Sequence, residues 1–217
     1  MSASLKYIKR DPQVALDGPP PMLILLHGLG SNEQDLFSFA PLLDPKYLII
    51  SVQAPIAYGF GGYAWFNIDL TSGIPSANIQ QVIHARRLLS TFLDEMIKTY
   101  QPDTEKVYLV GFSQGAIMSY AMAFSEPAKI SGIVAMSGYI LREITPQVSF
   151  SPGLKKLQIL ATHGEYDQVL PIFLGRATND HLRTLHVDYI YKEYPMAHEV
   201  NMDCLEDVKS WLAEQVK

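Results

Sequence analysis

The chain is poor in the features that would mark a specialised class. It holds one cysteine, Cys204, so no intrachain disulfide and no thiolate metal cluster can be built from it. Cys204 reads as a partly buried, inert thiol. Basic runs are absent beyond the pairs Lys9-Arg10, Arg86-Arg87 and Lys155-Lys156, and 17 Lys plus Arg stand against 22 Asp plus Glu for a net charge of −5. That balance argues against nucleic-acid binding as the main activity. Long apolar runs are missing too: Met22 to Leu26 is stopped by His27-Gly28, and Met1 to Arg10 has no apolar stretch of signal-peptide length. No membrane insertion is expected, and the expected compartment is the cytoplasm.

What remains is an ordinary globular composition over 217 residues, with 48% hydrophobic and 18% charged side chains, 14 glycines and 14 prolines. That length buries a sizeable core without a staple. No repeat or composition break divides the chain, so residues 1–217 are expected to form a single domain. Short β-rich runs, namely Met22 to Leu26, Tyr47 to Val52, Lys106 to Val110, Ile130 to Met136, Leu157 to Ala161 and Val187 to Tyr194, alternate with stretches of helical period. This is the pattern of an α/β fold with a mostly parallel central sheet and helices on both faces. Helices are expected over about Ser76 to Tyr100, Gln114 to Ser125 and Asp203 to Val216.

The strongest chemical signal is Gly111-Phe112-Ser113-Gln114-Gly115, lying between an apolar strand and a helical stretch. In that context a Gly-x-Ser-x-Gly forms a nucleophile elbow: Ser113 sits on a strained turn, and the flanking glycines let strand and helix close up. The N–H of Gln114 then faces the space where an oxyanion develops. A serine nucleophile needs a base, and the base needs an acceptor on its other nitrogen. Asp167, just past the run Leu157 to Ala161, and His198, just past Val187 to Tyr194, supply them in the chain order Ser, Asp, His. Both are expected at the carboxyl edge of the sheet, where Ser113 stands.

Other candidates fit less well. Glu165 reads as a solvated turn carboxylate, and His163 as a hydrogen-bonder that stabilises its turn. His84, His181 and His186 read as structural or surface residues. No two histidines lie four apart with a glutamate between them, so no metal site and no cofactor are expected. The segment Gly28-Leu29-Gly30-Ser31-Asn32-Glu33 begins like a dinucleotide fingerprint but puts Glu33 where the third glycine belongs. A glycine-flanked loop at this strand end instead makes Leu29 N–H the natural second oxyanion donor. The segment Ala57 to Phe66 gathers aromatics, and Tyr63, Trp65 and Phe66 are the candidates for an apolar acyl groove, with packing of Trp65 and Phe66 onto the sheet as the alternative.

Taken together, His27-Gly28-Leu29-Gly30, Gln53-Ala54-Pro55, Trp65-Phe66, the Ser113 elbow, His163-Gly164-x-x-Asp167-x-x-x-Pro171 and His198 resemble the phospholipase/carboxylesterase family of α/β-hydrolases, which includes the acyl-protein thioesterases. The resemblance covers almost the whole chain. It implies a single-domain α/β-hydrolase fold and a serine hydrolase with Ser113, Asp167 and His198 as triad and the N–H groups of Leu29 and Gln114 as oxyanion hole. Ala116 and Met196-Ala197 depart from glycines common at those places in the family. Ser31 to Leu36 looks closer to bacterial carboxylesterase-like members, which weakens a palmitoyl-protein substrate. Ser137 to Lys156 leaves room for only a minimal lid, and the shallow, open site expected from it suits short- and medium-chain esters best. The expected partner is a small-molecule acyl ester, with lysophospholipase and thioesterase activity as alternatives and a non-catalytic ligand-binding protein behind them. A homodimer across an apolar rim stays open.

Overall fold

The structure, a computed structural model, describes residues 3–71, 75–141, 143, 152–185 and 187–217. In chain order its strands are β1 (Tyr7–Arg10), β2 (Met22–Leu26), β3 (Leu48–Val52), β4 (Ile56–Tyr58), β5 (Gly62–Ala64), β6 (Ile68–Asp69), β7 (Ser76–Ala77), β8 (Val107–Phe112), β9 (Gly132–Met136), β10 (Gln158–Gly164) and β11 (Asp188–Tyr194). The helices are α1 (Ile79–Tyr100), α2 (Gln114–Ser125), α3 (Ile172–Thr184) and α4 (Met202–Glu214), with a 3-10 segment at Leu36–Leu42.

Seven strands form the central sheet in the order β1-β3-β2-β8-β9-β10-β11. All neighbours are parallel except β1, which runs antiparallel along β3 with Tyr7 opposite Val52. The inner strands β2, β3 and β9 are buried at every position, as apolar runs covered on both faces must be. The last run is different. β11 is an edge strand, paired only with β10, in which Asp188, Ile190 and Lys192 are exposed while Tyr189 and Tyr191 of the opposite face pack half-buried against the core and Tyr194 at its end is buried. The expectation that it is buried on both faces is therefore corrected.

Two cores flank the sheet. On one face α1 and α2 bury Val82, Leu89, Phe92, Leu93, Ile117 and Met118 against Ile24, Ile50 and Leu109. On the other, α4 packs Cys204, Val208 and Leu212 with Leu36 and Ala40 of the 3-10 segment against Leu23, Ile49 and Val134. Helix α1 starts at Asn78, whose side chain accepts from Gln81 N–H, rather than at Ser76, which belongs to the hairpin β6–β7. No helix among the described residues is long and apolar enough to cross a membrane. Of the expected lid segment, Ser137 to Lys156, residues 142 and 144–151 lie outside the described residues, as does His186.

Candidate active site

Parallel strands put their carboxyl ends on one edge, and four of them deliver the site there. Ser113 follows β8 directly and has φ 54° and ψ −117°, a strained backbone for a residue with a side chain. Glycines on either side make this turn feasible. A Cβ on Gly111 would lie 2.3 Å from the Gly115 carbonyl, and one on Gly115 would lie 1.8 Å from the Leu26 oxygen. Helix α2 therefore starts pressed against both β8 and β2, with Ser113 at its tip.

His198 follows β11, and its Nε2 is 2.9 Å from Ser113 Oγ, while its Nδ1 is 2.6 Å from Asp167 Oδ2. The imidazole ring packs on Phe112, with ring centroids 4.9 Å apart. Asp167 lies in the turn after β10; its Oδ1 accepts from the N–H groups of Val169 (2.9 Å) and Leu170 (2.8 Å). Burial alone would push this carboxyl up. The hydrogen bonds from His198 and from Leu170 and Val169 N–H, with the histidine's charge, outweigh it and hold Asp167 below the ordinary carboxylate range. The loops carrying His198 and Asp167 are themselves locked together: Tyr166 N–H donates to Met196 C=O (3.1 Å), and a Cβ on Gly164 would meet Ala197 O at 2.4 Å.

His163 is buried on β10, its Nε2–H donating to Leu170 C=O at 2.7 Å. It thus braces the turn that holds Asp167, and burial lowers its basicity, so the ring is neutral. Glu165 and His84 are exposed and make no approach to Ser113, and His181 lies in α3, away from the strand ends. Cys204 is fully buried, donates weakly to Thr162 Oγ1 at 3.4 Å, and is pushed up to about 11, chiefly by burial.

Above Ser113 lies a cleft of about 200 Å³. Gly28, Leu29 and Gln114 line one side of it, and Ile68, Leu70, Ile117, Val169 and Leu170 give it an apolar wall. The N–H of Leu29 makes no hydrogen bond within the described residues, and that of Gln114, first in its helix, has no intrahelical acceptor. Both are free to donate to a ligand.

The aromatic candidates stand outside the cleft lining. Trp65 and Phe66 are fully buried and outside the cleft lining. The backbone around them bonds to the Gln114 side chain, and the Trp65 indole reaches back to the end of β2, so these side chains pack the loop onto the sheet. Tyr63 also lies outside the lining; its backbone pairs with Gly30 and Ser31 and supports the Leu29 loop. The apolar wall of the cleft comes instead from other residues. Phe112 and Ile117 were within reach of sequence reasoning, one and four positions from Ser113, and Val169-Leu170 adjoin Asp167. Ile68 and Leu70, in a short hairpin, carried no such signal. Glu33, the residue that broke the nucleotide fingerprint, is buried and ion-paired with Lys6 at 2.8 Å. Among the described residues no group of His, Cys, Asp and Glu is arranged to hold a metal ion.

A family model described as Phospholipase/Carboxylesterase matches residues 15–216. Among curated proteins the chain is 28% identical over 208 residues to a probable carboxylesterase SOBER1-like of Arabidopsis thaliana, covering 90% of this chain and 79% of the relative. It is also 28% identical over 213 residues to acyl-protein thioesterase 1 of Candida albicans, covering 90% and 92%. The Bacillus cereus carboxylesterase superposes with a TM-score of 0.83 at 22% identity, covering 97% of this chain and 94% of that one. These relatives bear the esterase and the thioesterase names alike, so the lean toward esters drawn from Ser31 to Leu36 gains nothing over the thioesterase alternative. With the sheet, the strained serine elbow and a family match spanning almost its whole length, the chain belongs to the phospholipase/carboxylesterase family of α/β-hydrolases and is a serine hydrolase.

Proposed function

We propose that residues 1–217 act as one hydrolase domain that cleaves short- to medium-chain acyl esters through Ser113, His198 and Asp167. The observation that carries this reading is the continuous chain of contacts from Asp167 Oδ2 through His198 to Ser113 Oγ, opening into an apolar-walled cleft. Ser113 Oγ attacks the acyl carbonyl as its proton passes to His198 Nε2. Asp167 holds Nδ1 protonated and stabilises the imidazolium that forms. The N–H groups of Leu29 and Gln114 receive the tetrahedral oxyanion. His198 then returns its proton to the leaving alcohol, and the acyl group stays on Ser113. A water deprotonated by His198 attacks the acyl-enzyme, and collapse of the second tetrahedral intermediate releases the acid and restores the serine.

The cleft volume of about 200 Å³ is below the roughly 300–1,000 Å³ of drug-sized ligand sites, which supports a small acyl group. A second reading, thioester hydrolysis, is favoured by the relatives named acyl-protein thioesterase 1. The two differ only in the leaving atom, which the triad does not select. The test is a ladder of acetyl to palmitoyl chains offered both as p-nitrophenyl esters and as matched thioesters, with Ser113→Ala as control. We expect an optimum at short or medium chains and a loss of kcat on the order of 10⁴-fold in Ser113→Ala. Activity near wild type in that variant would remove the reading, and a consistent preference for thioesters at equal chain length would establish the second.

A further inference from the structure

The proposed chemistry uses two backbone N–H groups from different loops and leaves unexplained why three buried polar side chains crowd behind them. His27, Trp65 and Gln114 are at most 2% exposed, yet each carries hydrogen-bonding atoms. They form one connected run. Gln114 Oε1 accepts from the Trp65 backbone N–H at 3.0 Å, and Gln114 Nε2 donates to the Phe66 carbonyl at 2.8 Å. The Trp65 indole Nε1–H donates to the His27 carbonyl at 3.0 Å, with the indole and imidazole centroids 5.9 Å apart. His27 Nε2 lies 3.0 Å from Ala54 N–H and can only accept from it, so the proton of the neutral ring is on Nδ1. That Nδ1–H donates to the Gly28 carbonyl at 2.7 Å.

The last bond is the informative one. The Gly28 carbonyl and the Leu29 N–H belong to the same planar, trans peptide unit, so an acceptor bond that fixes one end fixes the direction of the other. At the other end of the run, the Gln114 side chain is held by both a donor and an acceptor, which anchors the residue whose N–H opens helix α2. Trp65 joins the halves, because its backbone engages Gln114 and its side chain engages His27.

We infer that Trp65 is a positioning residue that ties the two oxyanion donors, Leu29 N–H and Gln114 N–H, into one rigid unit aimed at a common oxygen. The inference rests on the acyl-transfer reading above. Trp65 touches no substrate: its contribution is to keep both donors aligned at the tetrahedral stage, where a donor must lie within about 2.7–3.1 Å of the oxyanion. Loss of the indole N–H leaves the buried His27 carbonyl unpaired and the Gly28–Leu29 peptide less constrained. The ground-state ester, whose carbonyl needs the donors less, is bound as before.

The test is Trp65→Phe, which keeps an aromatic ring but removes the N–H donor together with part of the buried indole's bulk, assayed on p-nitrophenyl butyrate and with butylboronic acid as a tetrahedral analogue. The expected result is a fall in kcat of about 10–100-fold, below the roughly 10²–10³-fold seen when a donor is deleted outright. KM stays within about twofold, and the inhibition constant of the boronic acid rises in step with the fall in kcat. A Trp65→Phe enzyme with wild-type kcat, or one whose loss lies in KM alone, overturns the inference. If Trp65→Phe does not fold, Gln114→Met, which cuts both bonds to the Trp65–Phe66 backbone and leaves the indole in place, is read in the same way. If both variants fold, the double variant should lose no more than the worse single one, and multiplicative losses would refute a shared tie. Absence of Ser113-dependent turnover in the wild type would instead defeat the acyl-transfer reading, so the two failures are separable.

Discussion

Asp35 lines the cleft, its Oδ2 accepting from Ser31 Oγ at 2.8 Å, and among the described residues no Lys or Arg lines the cleft beside it. An anionic group on the substrate held at about 5 Å from it in a water-like medium is repelled by about 0.8 kcal/mol, which is about fourfold in rate. Asp35→Asn should therefore raise kcat/KM for a succinate monoester about fourfold relative to a neutral butyrate ester, and added salt should shrink that difference. A ratio that neither the substitution nor salt moves would contradict a role for this charge. His163 gives a second prediction. Burial lowers its basicity in the folded protein, so between its folded value and the ordinary value near 6.5 the unfolded chain binds a proton that the native one refuses. Stability must then fall as pH drops below about 6.5. His163→Gln keeps an N–H for the Leu170 carbonyl and removes the titration, and its melting temperature should fall less steeply than wild type between pH 6.5 and 5. At this scale the Ser, Asp and His positions were legible because each lies in the turn that follows a strand. The roles of Trp65 and Phe66 were not, because an aromatic residue in a glycine-rich segment has the same signature whether it lines a groove or fastens a loop.

Among elements, the elbow makes the sharpest demand on sequence. Gly115→Ala would drive a Cβ to within 1.8 Å of the Leu26 oxygen, and backbone atoms cannot step aside as a flexible side chain can. We expect a loss of about 3 kcal/mol or more, seen as a melting temperature lower by about 6–12 °C, together with a Ser113 that no longer meets His198. A variant that keeps both the wild-type melting temperature and rate would show that α2 does not press on β2 as described. The apolar runs were legible as strands because β2, β3, β8, β9 and β10 are covered on both faces and need no polar alternation. The short elements and one weakly apolar helix were not anticipated. β1 is a four-residue edge strand carrying Lys9 and Arg10, and β4 to β7 are too short for a period to be counted. Helix α3 was missed because only Gly175, Thr178 and Leu182 of its residues are buried, two of them not apolar side chains. Gly175 lets it pass over His163, whose Nδ1 would lie 2.7 Å from a Cβ there.

For the whole molecule, the decisive property is that strands running in one direction bring residues far apart in the chain to one edge. Ser113 and His198 are separated by 85 positions and meet at 2.9 Å because β8 and β11 end on the same side of the sheet. The direction of the sheet could be anticipated from alternating strands and helices. The fit between the Gly28–Ser31 loop, the β4–β5 hairpin and the Gln114 side chain could not, since it depends on close approaches such as Gly62 against the Gly30 carbonyl, where a Cβ would lie 2.1 Å away. We propose that this convergence makes Ser113 a nucleophile. The most direct test is the intact mass of the protein after exposure to a fluorophosphonate, with peptide mapping of the adduct. One phosphonyl group per chain is expected on Ser113, formed rapidly in the wild type, slowly in His198→Ala and not at all in Ser113→Ala. An unlabelled wild-type protein, or a label carried on another residue and retained in Ser113→Ala, would contradict the proposal.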